Sequence, residues 1–300
     1  MNKKGYISYS IIVPHKNTPE LLKRCIDSIP KRDDVQIIIV DDNSDASIVD
    51  FSNFPGQEHP LTEVYFTKEN RGAGFARNFG LMKARGRWLI FADSDDFFND
   101  CLNQKMNEYL NSTADIIFFQ SNSVVSDTMN RIESRGKEYN AWLQESKKRD
   151  IVLDEVRYKI NPPWSKFYST NLVREHGIKF DEVLVANDVM FSTKCGFAAK
   201  KIIIDLSYLY CSTVRQGSLD LTNIDAYVWT RFEIALNHFV FLKKIKKEKY
   251  RMNIFNSINM IRKLNNWTSL KDSFINAYHE MGLINITLDF FEILKHKIKK

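Results

Sequence analysis

Residues 89–98 read LIFADSDDFF, a short apolar strand that runs into three carboxylates, Asp93, Asp95 and Asp96, and then into two aromatics. Spaced two apart around a serine, Asp93 and Asp95 can leave the strand on the same side. Hard oxygen ligands of this kind suit Mg²⁺ or Mn²⁺ that already carries substrate phosphates. An acidic turn after a strand would read the same in isolation, because Asp and Ser are ordinary turn and helix-cap residues. The flanking segments decide between the two.

Upstream, residues 8–13 and 35–40 are β-branched runs of the kind buried in a sheet, closed by Pro14 and by Asp41 and Asp42, and residues 64–66 make a third. Between them, Leu21, Leu22, Cys25, Ile26 and Ile29 have helical spacing, as do Phe75, Phe79, Leu81 and Met82 after Gly72 and Gly74. A short helix is also expected from about Ala46. Strands alternating with helices imply an α/β fold with a mainly parallel sheet flanked by helices. Ligands gather at the carboxyl ends of such strands, which is where Pro14, Asp42 and Asp93 lie. Farther on, residues 115–119 form a strand, and 121–150 are polar, poorly periodic and expected as a loop-rich flap. Helices are expected near 170–176 and from Asn187 to about Ala198, with a strand pair at 202–205 and 208–214. From Asp220 the pattern turns continuously helical, through Val228, Phe232, Leu236, Phe239 and Leu242. The expected division is an α/β domain over residues 1–218 and a helical C-terminal extension over 219–300.

With 300 residues and 44% apolar content the chain is long enough to bury a sizeable core. Its four cysteines lack metal-ligand spacing, and no stretch approaches the roughly 18 apolar residues of a membrane span, so a cytoplasmic protein with reduced thiols is expected. The net charge of +6 is unevenly held: residues 241–300 carry 13 Lys/Arg against 5 Asp/Glu, and residues 1–240 carry 30 against 32. Lys243, Lys244, Lys246, Lys247 and Lys249 form one basic knot, and Lys295, Lys297, Lys299 and Lys300 another. Basic and aromatic residues are not interleaved across the centre, which excludes a typical nucleic-acid site. The terminal lysines beside Phe290, Phe291, Leu294 and Ile298 instead suggest peripheral contact with an anionic membrane, at the inner face of the cell membrane.

Four segments in order, SIIVP at 10–14, VDDNS at 40–44, NRGAGFARNFG at 70–80 and ADSDD at 92–96, closely resemble family 2 glycosyltransferases of the GT-A fold. The resemblance spans about residues 8–218 and takes in PWSKF at 163–167 and NDVMF at 187–191. It implies a metal-dependent, inverting transfer of sugar from a UDP-sugar to a hydroxyl of a glycan or lipid-linked glycan acceptor, in bacterial capsule, lipopolysaccharide or exopolysaccharide synthesis. Asp42, at the end of a buried strand, can accept a hydrogen bond from the N3–H of uracil. The resemblance gives it that role, puts Asp93 near the ribose and Asp95 on the Mn²⁺ or Mg²⁺, and lets Pro14 shape the base-binding loop. Asp96 is expected to support rather than ligate. Arg77 and Asn78 match nucleotide-side positions, Trp164 and Lys166 match a segment that walls the sugar site, and Arg215 matches a late basic position that meets the pyrophosphate.

Inverting transfer needs one base to take the acceptor proton, and the resemblance assigns that to Asp188, with Phe191 as the accompanying aromatic. A plain helix cap would use the same residue type. Two departures stand out. Asn187 replaces a usual Glu, and Lys16 replaces an aromatic that stacks on the base, which leaves His15 as the candidate for stacking. A sugar-nucleotide pyrophosphorylase would open on a Gly-rich signature that is absent here, and a non-catalytic binder would not need both Asp95 and Asp188.

Overall fold

A computed structural model describes residues 6–58, 61–133, 135–215, 225–263 and 267–298. The expected domain boundary at 218/219 and the terminal Lys299 and Lys300 lie outside them, as do the side chains of Phe291, Leu294, Lys295, Lys297 and Ile298.

The first half alternates as expected: β1 (Tyr9–His15), α1 (Pro19–Asp27), β2 (Val35–Asp42), β3 (Thr62–Thr67), α2 (Ala73–Lys83) and β4 (Trp88–Phe91). β1 and β2 are buried at every position, which is why they read as unbroken apolar runs rather than alternating ones. Pro19 and Glu20 open α1 and Arg24 closes it, an order that suits the helix dipole. β5 (Phe97–Phe98), α3 (Leu102–Tyr109), β6 (Ile116–Val125), β7 (Arg131–Ile132), α4 (Lys137–Arg149), α5 (Asp154–Tyr158), β8 (Lys166–Ser169), α6 (Thr170–Glu175), α7 (Val189–Ala198) and β9 (Ile202–Val214) follow. The sheet runs β3-β2-β1-β4-β8-β6-β9-β5, with β7 paired to β6. β3, β2, β1 and β4 are mutually parallel and β6 and β9 are parallel, while β8 enters antiparallel to both β4 and β6.

Three local expectations change. No helix forms at Ala46; turns lead to a single 3₁₀ turn at Phe51–Asn53, capped by the Asp50 side chain. The pair expected at 202–214 is one strand, β9, which absorbs a register shift opposite Phe119–Ser121. The 121–150 segment is no loop-rich flap, since β6 continues to Val125, a hairpin returns through β7, and α4 packs on the sheet. The inward positions of α4 are Tyr139, Asn140, Leu143 and Ser146, helical in spacing but mostly polar. Asn140 pairs with the Ser121 N–H (3.1 Å) and C=O (2.7 Å), so polar side chains do the packing that apolar ones usually announce.

The C-terminal helices α8 (Asp225–Lys244), α9 (Ile254–Lys263) and α10 (Trp267–Ile298) enclose their own core of Val228, Phe232, Phe239, Ile258 and Met281. α10 is broken at Gly282, whose φ of +72° is non-helical. α8 lies on α7 through Phe197 and Phe241, with ring centroids 5.8 Å apart.

Candidate active site

The carboxyl ends of β1, β2 and β4 bring Pro14, Asp42 and Asp93 to one rim of the sheet. Beyond β4 the chain turns through the three carboxylates, and β9 holds that turn. The Tyr210 hydroxyl accepts from the Asp93 N–H (2.9 Å) and donates to Asp96 Oδ2 (3.0 Å), and Asp96 Oδ1 accepts from the Thr213 N–H (2.6 Å). Asp96 is therefore buried with both carboxylate oxygens hydrogen-bonded. The Asp95 carbonyl accepts from Arg24 Nη2 (2.6 Å) and Thr213 Oγ1 (2.8 Å), which leaves its side chain for other partners.

Asp93 and Asp95 keep 34% and 26% of their side chains exposed, enough to meet a ligand. Burial and the nearby Asp93 charge raise the Asp95 carboxyl above its ordinary pKa, opposed by Arg215, whose Nε lies 3.2 Å from Asp95 Oδ2. Burial and then the Asp95 and Asp93 charges push Asp96 well up. Crowded carboxylates that resist joint ionisation form a donor set suited to a hard divalent cation. Among the described residues no three His, Cys, Asp or Glu side chains converge as a ready-made metal cage, so a cation here needs phosphate or water oxygens as well.

A second strand of the site comes from α2. Gly72 starts the helix at φ +85°, and at Gly74 a Cβ would stand 2.1 Å from the Asp181 carbonyl oxygen, so glycine alone lets α2 press on the loop before α7. That approach buries Arg77, which does not lie on a solvent face. Its Nη1 donates to Asn187 Oδ1 (2.7 Å) and its Nη2 to Asp93, with the guanidinium 5.4 Å from the Phe180 ring centroid. The loop before α7 is thus tied to the carboxylate turn through Asn187 and one arginine. Asn78 faces elsewhere: its amide exchanges two 2.9 Å hydrogen bonds with the Phe180 backbone and fixes the same loop.

Asp188 stands at the N-cap of α7, but its side chain makes no capping hydrogen bond; the Ser192 N–H goes to its backbone carbonyl instead (2.9 Å). Burial raises its carboxyl above the ordinary range, against the pull of the Arg77 charge. Phe191 is core, stacked on Phe180 at 3.9 Å.

The remaining candidates occupy supporting places. Asp42 is buried, with Oδ1 accepting from the Arg71 N–H (3.0 Å) and at longer range from Thr67 Oγ1 (3.4 Å), and Oδ2 from the Gly72 N–H (2.7 Å), so Oδ2 keeps a second lone pair. His15 does not offer an open ring for stacking. It is buried edge-on against Phe54, with Nδ1 2.7 Å from Asp41 Oδ2 and Nε2 accepting from the Thr18 N–H (3.1 Å), so the hydrogen resides on Nδ1. Burial alone would raise Asp41, but hydrogen bonds from His15 and Ser44 hold it below its ordinary value. Lys16 is exposed and bonds to Asn70. Trp164 is 7% exposed and lies flat on Tyr210, centroids 5.1 Å apart, so it backs the carboxylate turn. Lys166 is 1% exposed, its Nζ donating to the carbonyls of Ile160 (2.8 Å) and Pro162 (2.7 Å), and burial pushes it down to about 7. Tyr210, Thr213 and Arg24 escaped sequence reasoning, because nothing in their local pattern marks a partner so far away in the chain.

Residues 10–177 match the family model described as Glycosyl transferase family 2, more than half of the chain. The chain belongs to this family. It is 24% identical over 213 residues to the poly(ribitol-phosphate) beta-glucosyltransferase of Bacillus spizizenii, covering 69% of this chain and 32% of that protein. It is 25% identical over 291 residues to the putative glycosyltransferase EpsH of Bacillus subtilis, covering 92% and 82%. The chain spans about a third of the length of the first curated relatives it matches. Among solved structures, Staphylococcus aureus TarS 1–349 in complex with UDP-GlcNAc superposes with a TM-score of 0.62 at 20% identity, covering 91% of this chain and 73% of that one. The mannosyltransferase PcManGT from Pyrobaculum calidifontis, in complex with GDP-Man and Mn²⁺, gives 0.54 at 18%, covering 97% and 81%. The α/β architecture of this family member is thus the GT-A fold that its motifs imply.

Proposed function

We propose that this family 2 protein is an inverting glycosyltransferase that moves a sugar from a UDP-sugar to a hydroxyl of a surface-glycan acceptor at the cytoplasmic side of a bacterial membrane. The observation that carries the proposal is Asp188: a carboxylate of raised pKa that heads a helix without capping it, across Arg77 from Asp93. A base with those properties can take the acceptor hydroxyl proton as that oxygen attacks the anomeric carbon from the side opposite the diphosphate. The C1–O bond to UDP then breaks and the linkage inverts.

Asp42 and Pro14 would seat the uracil, with Asp93 toward the ribose, and Asp93 and Asp95 would hold Mn²⁺ or Mg²⁺. The cation, when bound, supplies positive charge to the departing diphosphate. Arg215, now on Asp95, is close enough to exchange that carboxylate for a phosphate once a cation takes its place. Arg77 has a different task, keeping Asp93 and the Asn187 loop in register. Relatives named as poly(ribitol-phosphate) glycosyltransferases support a polymeric surface acceptor, in keeping with capsule, lipopolysaccharide or exopolysaccharide synthesis. The separate core of α8, α9 and α10 supports a catalytic domain to about residue 218 followed by a helical extension.

The test is a panel of UDP-sugars assayed for hydrolysis and transfer with Mn²⁺, Mg²⁺ or EDTA. One preferred UDP-sugar, turned over only with the cation, is the expected result, and Asp95→Ala should remove both cation-dependent UDP binding and turnover. Unchanged UDP affinity and metal dependence in a folded Asp95→Ala protein would refute the cation site. Turnover of a GDP-sugar in preference to every UDP-sugar would refute the donor assignment.

A further inference from the structure

Sequence reasoning put the apolar surface of the last helix at Phe290, Phe291, Leu294 and Ile298. Of these only the Phe290 side chain is described, it is exposed, and further exposed apolar side chains precede it along the helix. Phe290 is 45% exposed with its ring 5.5 Å, centroid to centroid, from that of Phe255, and Leu283, Ile284 and Leu288 are 66%, 77% and 54% exposed. These three follow the Gly282 break and fall within about 140° of helical arc, while Ile286 and Asp289 on the other side are buried. Before the break, Phe274, Ile275 and Tyr278 are exposed as well. A soluble domain has no packing reason to present aliphatic side chains so openly.

The neighbouring element carries charge. Lys243 Nζ donates to the Glu280 carbonyl (3.2 Å), so the basic end of α8 sits against α10 just ahead of Gly282. Lys244, Lys246 and Lys249 are exposed beside it, and the chain's last six residues include four more lysines. The same helix α8 rests on the catalytic domain through Phe197, in the last turn of α7.

We propose that the face of α10 around Leu283, Ile284 and Leu288, with the lysines at the end of α8, docks on an anionic lipid surface. Aliphatic side chains flanked by lysines fit the headgroup boundary of such a bilayer, where each lysine near the surface gains from the negative potential. A second copy of this chain would bring the same lysine cluster against itself, which like-charge repulsion disfavours. The inference rests on the proposed transfer to a surface glycan for its purpose, since it would hold the catalytic domain near an acceptor carried on lipid. Its test needs neither donor nor acceptor.

The full chain is sedimented with vesicles of phosphatidylcholine alone or mixed with phosphatidylglycerol, at low and high salt. The wild type should bind the mixed vesicles at low salt, release at high salt, and ignore the neutral ones. Leu283→Ser/Ile284→Ser/Leu288→Ser and, separately, Lys244→Glu/Lys246→Glu should each lower the bound fraction at least about tenfold, with melting temperature and UDP-sugar hydrolysis in solution unchanged. No binding of wild type to the mixed vesicles at low salt would overturn the inference, as would undiminished binding by the serine variant. A wild-type dimer that the serine substitutions convert to a monomer would assign the face to a second copy and overturn it too. Loss of hydrolysis in every protein, with vesicle binding intact, would count against the transferase reading alone.

Discussion

At Asp188 the proposed chemistry can be told from scaffolding, because its side chain makes no capping hydrogen bond. Asparagine in its place keeps the shape but cannot take a proton, so Asp188→Asn should leave UDP affinity intact and lower turnover by about 10²- to 10⁴-fold. With its carboxyl raised, Asp188 is protonated and idle in acid, and turnover should climb with pH through a midpoint above the usual carboxylate range. The stability sign runs the other way: a carboxyl raised by folding contributes fully below its unfolded pKa and its contribution fades as pH rises through the folded one. Asp188→Asn should therefore melt higher than wild type at neutral pH, with the gap closing in acid. Lys166 gives a complementary case, since burial depresses its pKa to about 7. Between that pH and the ordinary lysine value the unfolded chain binds more protons, so wild-type stability should rise with pH across the interval. Lys166→Met strands the Ile160 and Pro162 carbonyls and should cost about 1–3 kcal/mol, with a deficit that widens from pH 7 to 10 in denaturant titrations.

Elements meet here through backbone approaches that side chains would block. Gly74→Ala places a methyl 2.1 Å from the Asp181 carbonyl oxygen, too close for either helix α2 or the loop to stay put. The expected cost is about 1–3 kcal/mol by urea unfolding. Transfer should fall further than stability predicts, because Arg77 would be carried away from Asn187 and Asp93; an alanine variant with normal turnover would show that this register is dispensable. The element that sequence reasoning lost, α4, teaches the converse lesson. Its inward face uses Tyr139 and Asn140 to satisfy the backbone of β6 and Ser146 to accept from the Leu153 N–H, and periodicity of apolar residues has no means of registering a helix whose packing is polar. The parallel strands were legible for the opposite reason, since β1 and β2 are buried on both faces and only apolar side chains are stable there.

At the scale of the whole molecule, the helical extension holds a buried ion pair among its described residues. Arg251 Nη2 lies 2.5 Å from Asp289 Oδ1, and Asp289 Oδ2 accepts from the Ile254 N–H (3.0 Å) at the start of α9. Removing one partner leaves the other charge buried, a loss of about 3–5 kcal/mol. If the extension is a separate unit, Asp289→Ala should split calorimetric melting into two transitions and leave UDP affinity unchanged; one cooperative transition lowered as a whole would contradict that division. The chain's own order of residues determined the carboxylate turn at 93–96, the glycines before α2, the α/β class and the segregation of charge toward the C-terminus, because each is a local pattern of side-chain type against spacing. What the tertiary structure decided is which groups are consumed. Asp96 and His15 are spent on Tyr210 and Asp41, Trp164 backs the turn, Asn78 holds a loop, and Arg77 becomes the buried link between Asp93 and Asn187. Partners separated by up to more than a hundred residues meet only when β9 and the α7 loop close on β4. Whether a polar side chain is free to bind or already satisfied depends on those contacts, which no local pattern records.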